Sequence, residues 1–179
     1  MNGLIFLEVA KFGKARLGGK AWQEVVRAAR VPPRVYVPVA DYPDQEATAL
    51  LTALSATMGE PGLVILEALG EFIAPDLLKM SEFLINPDWK TIDLIANTEA
   101  TIHEVFRRAG TKTKPPELKC QRSSLQEVIV TYTSPRKMCA LAKGIAKGVA
   151  THYRERITIT EPTCMLKGGA ACQLIITVA

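Results

Sequence analysis

The sequence is poor in the side chains that most often carry out chemistry. Its 179 residues include only 2 His and 4 Cys. These residues are His103, His152, Cys120, Cys139, Cys164 and Cys172. A closed tetrahedral metal site made of His alone is therefore excluded within one chain, because such a site needs four ligands. No phosphate-binding loop, dinucleotide fingerprint or nucleophile–base pair occurs, so the sequence predicts that the protein is not an enzyme.

Long apolar runs and blocks of one charge are also missing. No run approaches the ~18 apolar residues of a membrane span. The segment from Met1 to Gly13 contains Glu8 and lacks the charged start of a signal peptide. The formal net charge of +4 is spread along the chain and does not indicate nucleic-acid binding. We therefore expect a cytoplasmic protein with no membrane span and no nucleic-acid partner, whose cysteines are free or bound to metal.

The hydrophobic pattern changes character near residue 112. Before it, apolar residues recur at helical spacing; after it, short β-branched runs alternate with polar residues. We predict an α+β fold with a helical N-terminal subdomain, followed by a four-stranded antiparallel sheet with a long helix. The prediction is one domain over residues 1–179, divided approximately into 1–60 and 61–179. Helices are predicted over 2–16, 19–29, 44–58, 61–75, 88–109 and 135–153, and strands over 117–121, 125–133, 156–160 and 173–178.

Particular residues set the expected ends of these helices. Asp44 is predicted to cap one helix, and Gly59 to stop it. Gly70 is a weak point in the next helix, which Pro75 is expected to end or bend. The dipeptide Ser134-Pro135 is typical of a helix start.

His103 lies at the edge of an apolar helical stripe. It follows Ala96 by seven residues and precedes Phe106 by three, and Gly110 closes the predicted helix. A neutral imidazole in such a place needs a partner. Position alone leaves two interpretations open: a core His bonded to a carbonyl group, or an axial ligand of a haem iron.

The segment Tyr132-Thr133-Ser134-Pro135-Arg136 places two hydroxyls and a guanidinium close together. Tyr132 and Ser134 are two residues apart on a predicted strand, so their side chains point the same way. Arg136 follows beside the predicted helix start. This arrangement suits carboxylates or phosphates, and the alternative is a capping Ser beside a surface Arg.

Together these segments resemble the H-NOX (haem-nitric oxide/oxygen binding) family in its stand-alone bacterial form. The resemblance extends over essentially the whole chain. It is carried by Thr101 to Gly110, Lys114-Pro115-Pro116, Tyr132 to Met138, Met1-Asn2-Gly3, and Pro33-Arg34-Val35 followed by Pro38. It implies a haem-based gas sensor that contains haem b and takes part in signal transduction.

The resemblance also implies roles for individual residues. His103 would be the proximal iron ligand, and Tyr132, Ser134 and Arg136 would bind the haem propionates. Pro116 and Ile5 would pack against the macrocycle. The remaining positions of the pocket would lie on its distal side, and they are Leu141, Val9, Ile73 and Leu77.

The distal residues bear on which gas is bound. Family members that bind oxygen carry a distal Tyr, and the matching position here is Leu141. The resemblance therefore implies a five-coordinate ferrous haem that binds NO and CO and binds oxygen poorly. NO would weaken the bond between iron and His103. Signalling would pass to a separate protein, a histidine kinase or a cyclic-di-GMP enzyme.

Three of the cysteines match a zinc site found in some bacterial members of the family. They are Cys139, Cys164 and Cys172, and zinc favours thiolate ligands. The sequence departs from that pattern at Glu161, where Cys or His would be expected. Glu161, water or His152 would supply the fourth ligand. The alternatives are buried cysteines that pack normally, or redox-active ones; Cys120 is expected in the core.

Two other function classes stay open. The first is a haem-free module that binds a small molecule, or senses zinc or redox state, and is similar to vinyl-reductase-type domains. The second is a thiol- or zinc-dependent enzyme that would use Cys164 and Cys172. The presence of both His103 and the Tyr132/Ser134/Arg136 set argues against the first. The lack of a base other than His152 argues against the second.

Overall fold

A computed structural model describes residues 1–108 and 115–179 as six helices and one antiparallel sheet. The helices are α1 (Gly3–Ala29), α2 (Asp44–Met58), α3 (Gly62–Met80), α4 (Thr91–Thr98), α5 (Glu104–Arg108) and α6 (Cys139–His152). The strands are β1 (Glu117–Arg122), β2 (Glu127–Thr133), β3 (Ile157–Thr163) and β4 (Cys172–Val178). Gly110 and the Phe106 side chain, which the sequence placed at the end of the His103 helix, lie outside what the structure describes.

The N-terminal half is helical, as predicted. Helix α1 is broken at Gly18, whose φ of 80° and ψ of 164° are not helical. This break separates the two helices predicted at 2–16 and 19–29. The second half folds back onto the first, and Trp22 packs directly on Gly13. A Cβ built on Gly13 would lie only 2.2 Å from the Trp22 ring. The two halves of α1 therefore pack on each other in one core with α2 and α3.

Helix α2 has the predicted bounds, but Asp44 does not cap it. Pro43 is the residue before the first turn, and no side chain bonds to the first N–H groups. Gly59 ends the helix with a φ of 67°, in the left-handed region that favours glycine. The prediction for Asp44 was wrong because its carboxylate is engaged with groups distant in sequence.

Helix α3 continues through Pro75 to Met80, so Pro75 does not end it. The bend expected at Pro75 and the weak point expected at Gly70 stay predictions. Gly70 is buried where α3 meets α6, and a Cβ there would lie 2.3 Å from the carbonyl oxygen of Leu141.

Two glycines of α6 complete this contact. A Cβ on Gly144 would lie 1.9 Å from the carbonyl oxygen of Glu67, and one on Gly148 would lie 2.4 Å from the Ala74 Cβ. Helix packing at this distance is possible only without side chains at the contact. The backbones of α3 and α6 therefore touch directly.

The helical segment that carries His103 begins later than predicted and changes its hydrogen bonding. It begins at Thr91, where Lys90 N donates to Asp93 Oδ2 at 3.0 Å. After α4, residues Glu99–His103 form a π-helical turn before α5 begins. Such turns occur inside α-helices and are frequent at functional sites.

The sheet has strand order β1-β2-β4-β3, and every pair is antiparallel. Val128, Val130 and Tyr132 share its buried face, as predicted. Leu174 and Ile176 extend that face on β4, where α4 and α6 cover it. The predicted α+β architecture is therefore confirmed.

The segment between β2 and α6 differs from the prediction. Ser134-Pro135 does not start a helix, because Lys137 N donates to the Ser134 carbonyl at 3.1 Å and closes a turn. Lys137 has a φ of 50°, and α6 begins only at Cys139. Proline presets φ for the second position of such a turn. The motif is therefore a loop that presents its side chains between sheet and helix.

The helices bear on two predictions, the absence of a membrane span and the division of the chain at residue 60. No single helix of the described chain is long and apolar enough to cross a membrane, and only α2 and α3 together, bent by 106°, reach that length and composition. The division at residue 60 stays a prediction. Its two parts share a core, since Ile65, Leu69 and Ile73 of α3 pack with α1 and α2.

Gly144→Ala tests the α3–α6 contact. We expect it to lower the free energy of unfolding by about 1–3 kcal/mol, the range for overpacking, although alanine is the better helix former. Urea unfolding followed by circular dichroism measures the change. Gly62→Ala is the control, because no heavy atom lies within 4 Å of a Cβ there. Wild-type stability of Gly144→Ala would contradict the contact.

Candidate functional site

An apolar cavity of about 350 Å³ lies between the helices and the sheet. Helices α1, α3 and α6, the π-helical turn and strand β2 all contribute to its wall. Ligand pockets of this kind are mostly apolar, with a few polar groups that fix orientation. Eight predicted site residues line it: Ile5, Leu77, His103, Pro116, Tyr132, Ser134, Arg136 and Leu141.

Val9 and Ile73, also predicted for the distal side, do not line this cavity. Both are fully buried in the core that α1, α2 and α3 form. Leu77 on α3 and Leu141 on α6, which were predicted for the same side, do line the cavity, and both are aliphatic.

His103 lies in the π-helical turn, and its side chain is 17% exposed. Its Nδ1 is 3.0 Å from Glu99 Oε2. An ionised carboxylate only accepts hydrogen bonds, so Nδ1 carries the proton and Nε2 keeps a lone pair. Histidines that bind metal are oriented by such a partner on the other ring nitrogen.

The surroundings favour neutral His103. Burial lowers the pKa of His103 below its ordinary value and the charge of Arg107 adds to this effect, although Glu99 and the backbone carbonyl of Pro116 oppose it. Metal ligation requires the neutral ring. The imidazole is therefore in the protonation state and orientation that a metal needs.

The two predicted hydroxyls lie in the cavity wall and are buried. Tyr132 and Ser134 are each 3% exposed. The Tyr132 oxygen accepts from the N–H of Met138 at 3.2 Å, and Ser134 Oγ accepts from the N–H of Arg136 at 3.3 Å. Burial raises the pKa of Tyr132, so its hydroxyl keeps its proton as a donor.

Arg136 is held by Asp44, an acidic residue 92 positions earlier in the sequence. Its Nε donates to Asp44 Oδ2 at 2.7 Å, and the other oxygen of Asp44 lies 2.7 Å from the amino group of Met1. Although burial alone would raise the pKa of Asp44, these two cations lower it. The hydroxyls and the guanidinium suit carboxylates, and with His103 in an apolar wall this set fits a haem.

Three cysteines and one carboxylate form a second cluster beside Tyr132. One ligand atom from each of Cys139, Glu161, Cys164 and Cys172 lies within 4.8 Å of the other three. Cys164 Sγ is 3.8 Å from Cys139 Sγ and 3.9 Å from Cys172 Sγ. Tetrahedral zinc with bonds of about 2.3 Å would separate its sulfur ligands by about 3.8 Å.

Glu161 is the one carboxylate in this cluster, at the position where the resemblance would lead one to expect Cys or His. Its Oε2 accepts from Lys143 Nζ at 3.2 Å, whereas its Oε1 is buried without a hydrogen-bond partner among the described residues. Although burial raises the pKa of Glu161, Lys143 lowers it below the ordinary value. Glu161 is therefore an anion with one unpaired oxygen in a cluster of thiols.

His152 does not join this cluster, so its proposed part in a zinc site was wrong. It ends α6 and is exposed, whereas Cys139 begins the same helix. Thirteen residues of α-helix separate their backbones by about 20 Å. Cys120 is also outside the cluster and half-buried, and burial raises the pKa of its thiol to about 11.

Three site residues were not predicted from the sequence. Glu99 could have been found from the sequence, because it precedes His103 by four residues and side chains at that spacing on a helix are neighbours. Arg107 binds Glu99 Oε1 at 2.5 Å and the Pro116 carbonyl at 3.2 Å. Asp44 gave no signal, since it meets Arg136 across 92 residues of sequence.

Asp44→Asn tests the ion pairs at the rim of the cavity. A lowered aspartate pKa adds stability above the unfolded value of about 3.9, and this stability is lost as pH falls through the folded pKa. The Asp44 side chain is 41% exposed, so we expect a difference of no more than about 1 kcal/mol near pH 6.5.

Urea unfolding between pH 3 and pH 6.5 measures this difference, which should vanish at the acid end. Asp88→Asn is the control, because Asp88 is exposed and makes no ion pair with the described residues. A difference for Asp44→Asn that grows on acidification would contradict the assigned role.

The sequence profile of the Haem-NO-binding family matches residues 2–161. Among curated protein sequences none matches this chain significantly. Solved structures do match it over nearly the whole chain.

An H-NOX protein from S. oneidensis, in the Fe(II)NO ligation state, is 24% identical over 100% of this chain and 99% of that chain, with a TM-score of 0.92. An unliganded Fe(II) H-NOX protein from K. algicida is 19% identical, covering 100% and 97%, with a TM-score of 0.88. The I5F variant of T. tengcongensis H-NOX is 18% identical, covering 99% and 97%, with a TM-score of 0.87.

The structural likeness confirms the fold, and the profile match covers most of the sequence. Haem binding is the property that defines this family, and its members are gas-sensing domains rather than enzymes. The chain belongs to the Haem-NO-binding (H-NOX) family.

Proposed function

We propose that this protein senses NO, and also binds CO, at a ferrous haem b ligated by His103, and that it binds oxygen poorly. The observation that carries the proposal is the half-buried His103, fixed through Nδ1 by Glu99, in the wall of the apolar cavity. H-NOX proteins of this fold have been solved with NO and with CO bound.

The bound haem would supply the iron that binds the gas. The chain would supply the axial ligand of the iron, the groups that bind the propionates and the side chains that pack on the macrocycle. Nε2 of His103 donates its lone pair to the metal. Tyr132, Ser134 and Arg136 bind the propionates through hydroxyl and guanidinium donors. Pro116 and Ile5, both in the cavity wall, pack against the macrocycle.

Gas selectivity follows from the distal wall. Leu77 and Leu141 are aliphatic, and Val9 and Ile73 support them from the core. Bound oxygen is polar and gains from a hydrogen-bond donor, whereas NO and CO do not need one. The aliphatic wall therefore favours NO and CO over oxygen.

Signalling would begin at the π-helical turn. Glu99 and Arg107 join this turn to β1 and to Pro116 by hydrogen bonds, so a displacement of His103 would be passed to the sheet. The helical half could then shift against the sheet. We propose a cytoplasmic partner protein, a histidine kinase or a cyclic-di-GMP enzyme, as the receiver.

His103→Ala tests the ligand assignment. Wild-type protein supplied with haem should show a Soret band, and His103→Ala should lose or shift it; His152→Ala, at an exposed residue, should not. On addition of NO, the ferrous wild-type spectrum should change from that of five-coordinate haem ligated by histidine to that of five-coordinate nitrosyl haem. A colourless protein, or an oxygen complex that is stable in air, would overturn the proposal.

We further propose that the cysteine cluster binds one zinc ion. Cys139, Cys164 and Cys172 supply thiolates, and Glu161 supplies Oε1 while Lys143 holds its other oxygen. The sulfur separations agree with tetrahedral zinc, and a closed site of four ligands is typical of structural zinc. The ion would join the start of α6 to the β3–β4 connection.

Metal analysis without chelator tests this site. We expect one zinc per chain in the wild type, and loss of zinc with a lower thermal midpoint in Cys172→Ser, because a structural ion stabilises the fold. Cys120→Ser is the matched control and should keep its zinc. Zinc well below one ion per chain in the wild type would contradict the site.

A further inference from the structure

The carboxylate of Glu99 is held from three directions. Its Oε2 accepts from His103 Nδ1 and from the backbone N–H of Leu118 on β1, each at 3.0 Å. Its Oε1 is 2.5 Å from Arg107 Nη2. The group is thus fixed between the turn that carries His103 and the first strand of the sheet.

An anionic acceptor on Nδ1 changes the chemistry of the opposite ring nitrogen. A carboxylate attracts the Nδ1 proton more strongly than a carbonyl does, and this raises the basicity of Nε2. Glu99 therefore makes His103 a stronger donor than a histidine bonded to backbone would be. The effect depends on the charge of Glu99, not only on its shape.

Arg107 acts in the opposite direction. Its guanidinium pairs with Oε1 and draws negative charge away from the oxygen that faces His103. The same group donates to the Pro116 carbonyl at 3.2 Å, so its position is fixed. Arg107 therefore limits how far Glu99 strengthens the donor.

We propose that Glu99 and Arg107 are positioning residues that set the donor strength of His103 in opposite senses, and so set how readily a gas ligand breaks the bond between His103 and a metal. This inference rests on the proposed function, because it takes His103 as the iron ligand. If the two residues only held the π-helical turn against β1, removing either one would change the bond between His103 and the metal in the same direction.

Glu99→Gln and Arg107→Gln separate these possibilities. In the ferrous protein, the iron–histidine stretching frequency measured by resonance Raman should fall in Glu99→Gln and rise in Arg107→Gln. Haem affinity should fall by about 10–100-fold in Glu99→Gln, the usual range for the outer partner of a metal ligand. Frequency shifts of the same sign, or none, would overturn the proposal.

Glu104→Gln and Arg108→Gln are matched controls. These residues form an exposed ion pair on α5, which begins directly after His103, and make no hydrogen bond with His103 or Glu99 among the described residues. Both should keep the wild-type frequency. If Glu99→Gln does not fold, Glu99→Asp and Glu99→Ala replace it, because Asp keeps the charge on a shorter side chain and Ala removes it. The proposal then requires the iron–histidine frequency of Glu99→Asp to be nearer the wild-type value than that of Glu99→Ala.

A second measurement does not need haem. Nitrogen-15 NMR of the haem-free chain should show His103 with its proton on Nδ1, and Glu99→Gln should shift the ring toward the form protonated on Nε2. A wild-type ring protonated on Nε2 would overturn the role of Glu99. If this tautomer result holds but no haem binds, the proposed function fails and the positioning of His103 by Glu99 does not.

Discussion

The direct contact between α3 and α6 is the constraint on which the rest of the structure depends. Gly70, Gly144 and Gly148 let the two backbones meet, and α6 covers the sheet with its other face. The parts of the cavity wall that lie on α3 and on α6 are therefore positioned by the same three residues. A side chain at any of these positions would separate the helical half from the sheet and change the width of the cavity.

Charged groups at the cavity wall form two separate networks of hydrogen bonds and ion pairs. On one side, Glu99 joins His103, Arg107 and the backbone of Leu118. On the other, Asp44 joins Arg136 and the amino group of Met1. Each network has an acidic residue at its centre, and each connects segments that are separate in the sequence. Because these charges are paired with one another, apolar side chains form most of the cavity wall.

Periodic patterns predicted most of the fold, and contacts between distant residues explain the errors. The break in α1, the bounds of α2 and the buried face of β2 follow from local residue types. The contact of Gly70 with α6 and the ion pair of Asp44 with Arg136 were not predicted, because these partners are far away in sequence. Of the site, His103 and the Tyr132 motif were visible as patterns, whereas Arg107 and Asp44 gain their meaning only from tertiary contacts.

The wall of the cavity contains residues from Met1 at one extreme to Ile176 at the other. The cavity is complete only after β4, the last strand of the described residues, has joined the sheet. A cofactor that needs this enclosure therefore binds the assembled fold, and neither the helical half nor the sheet alone would form the whole site.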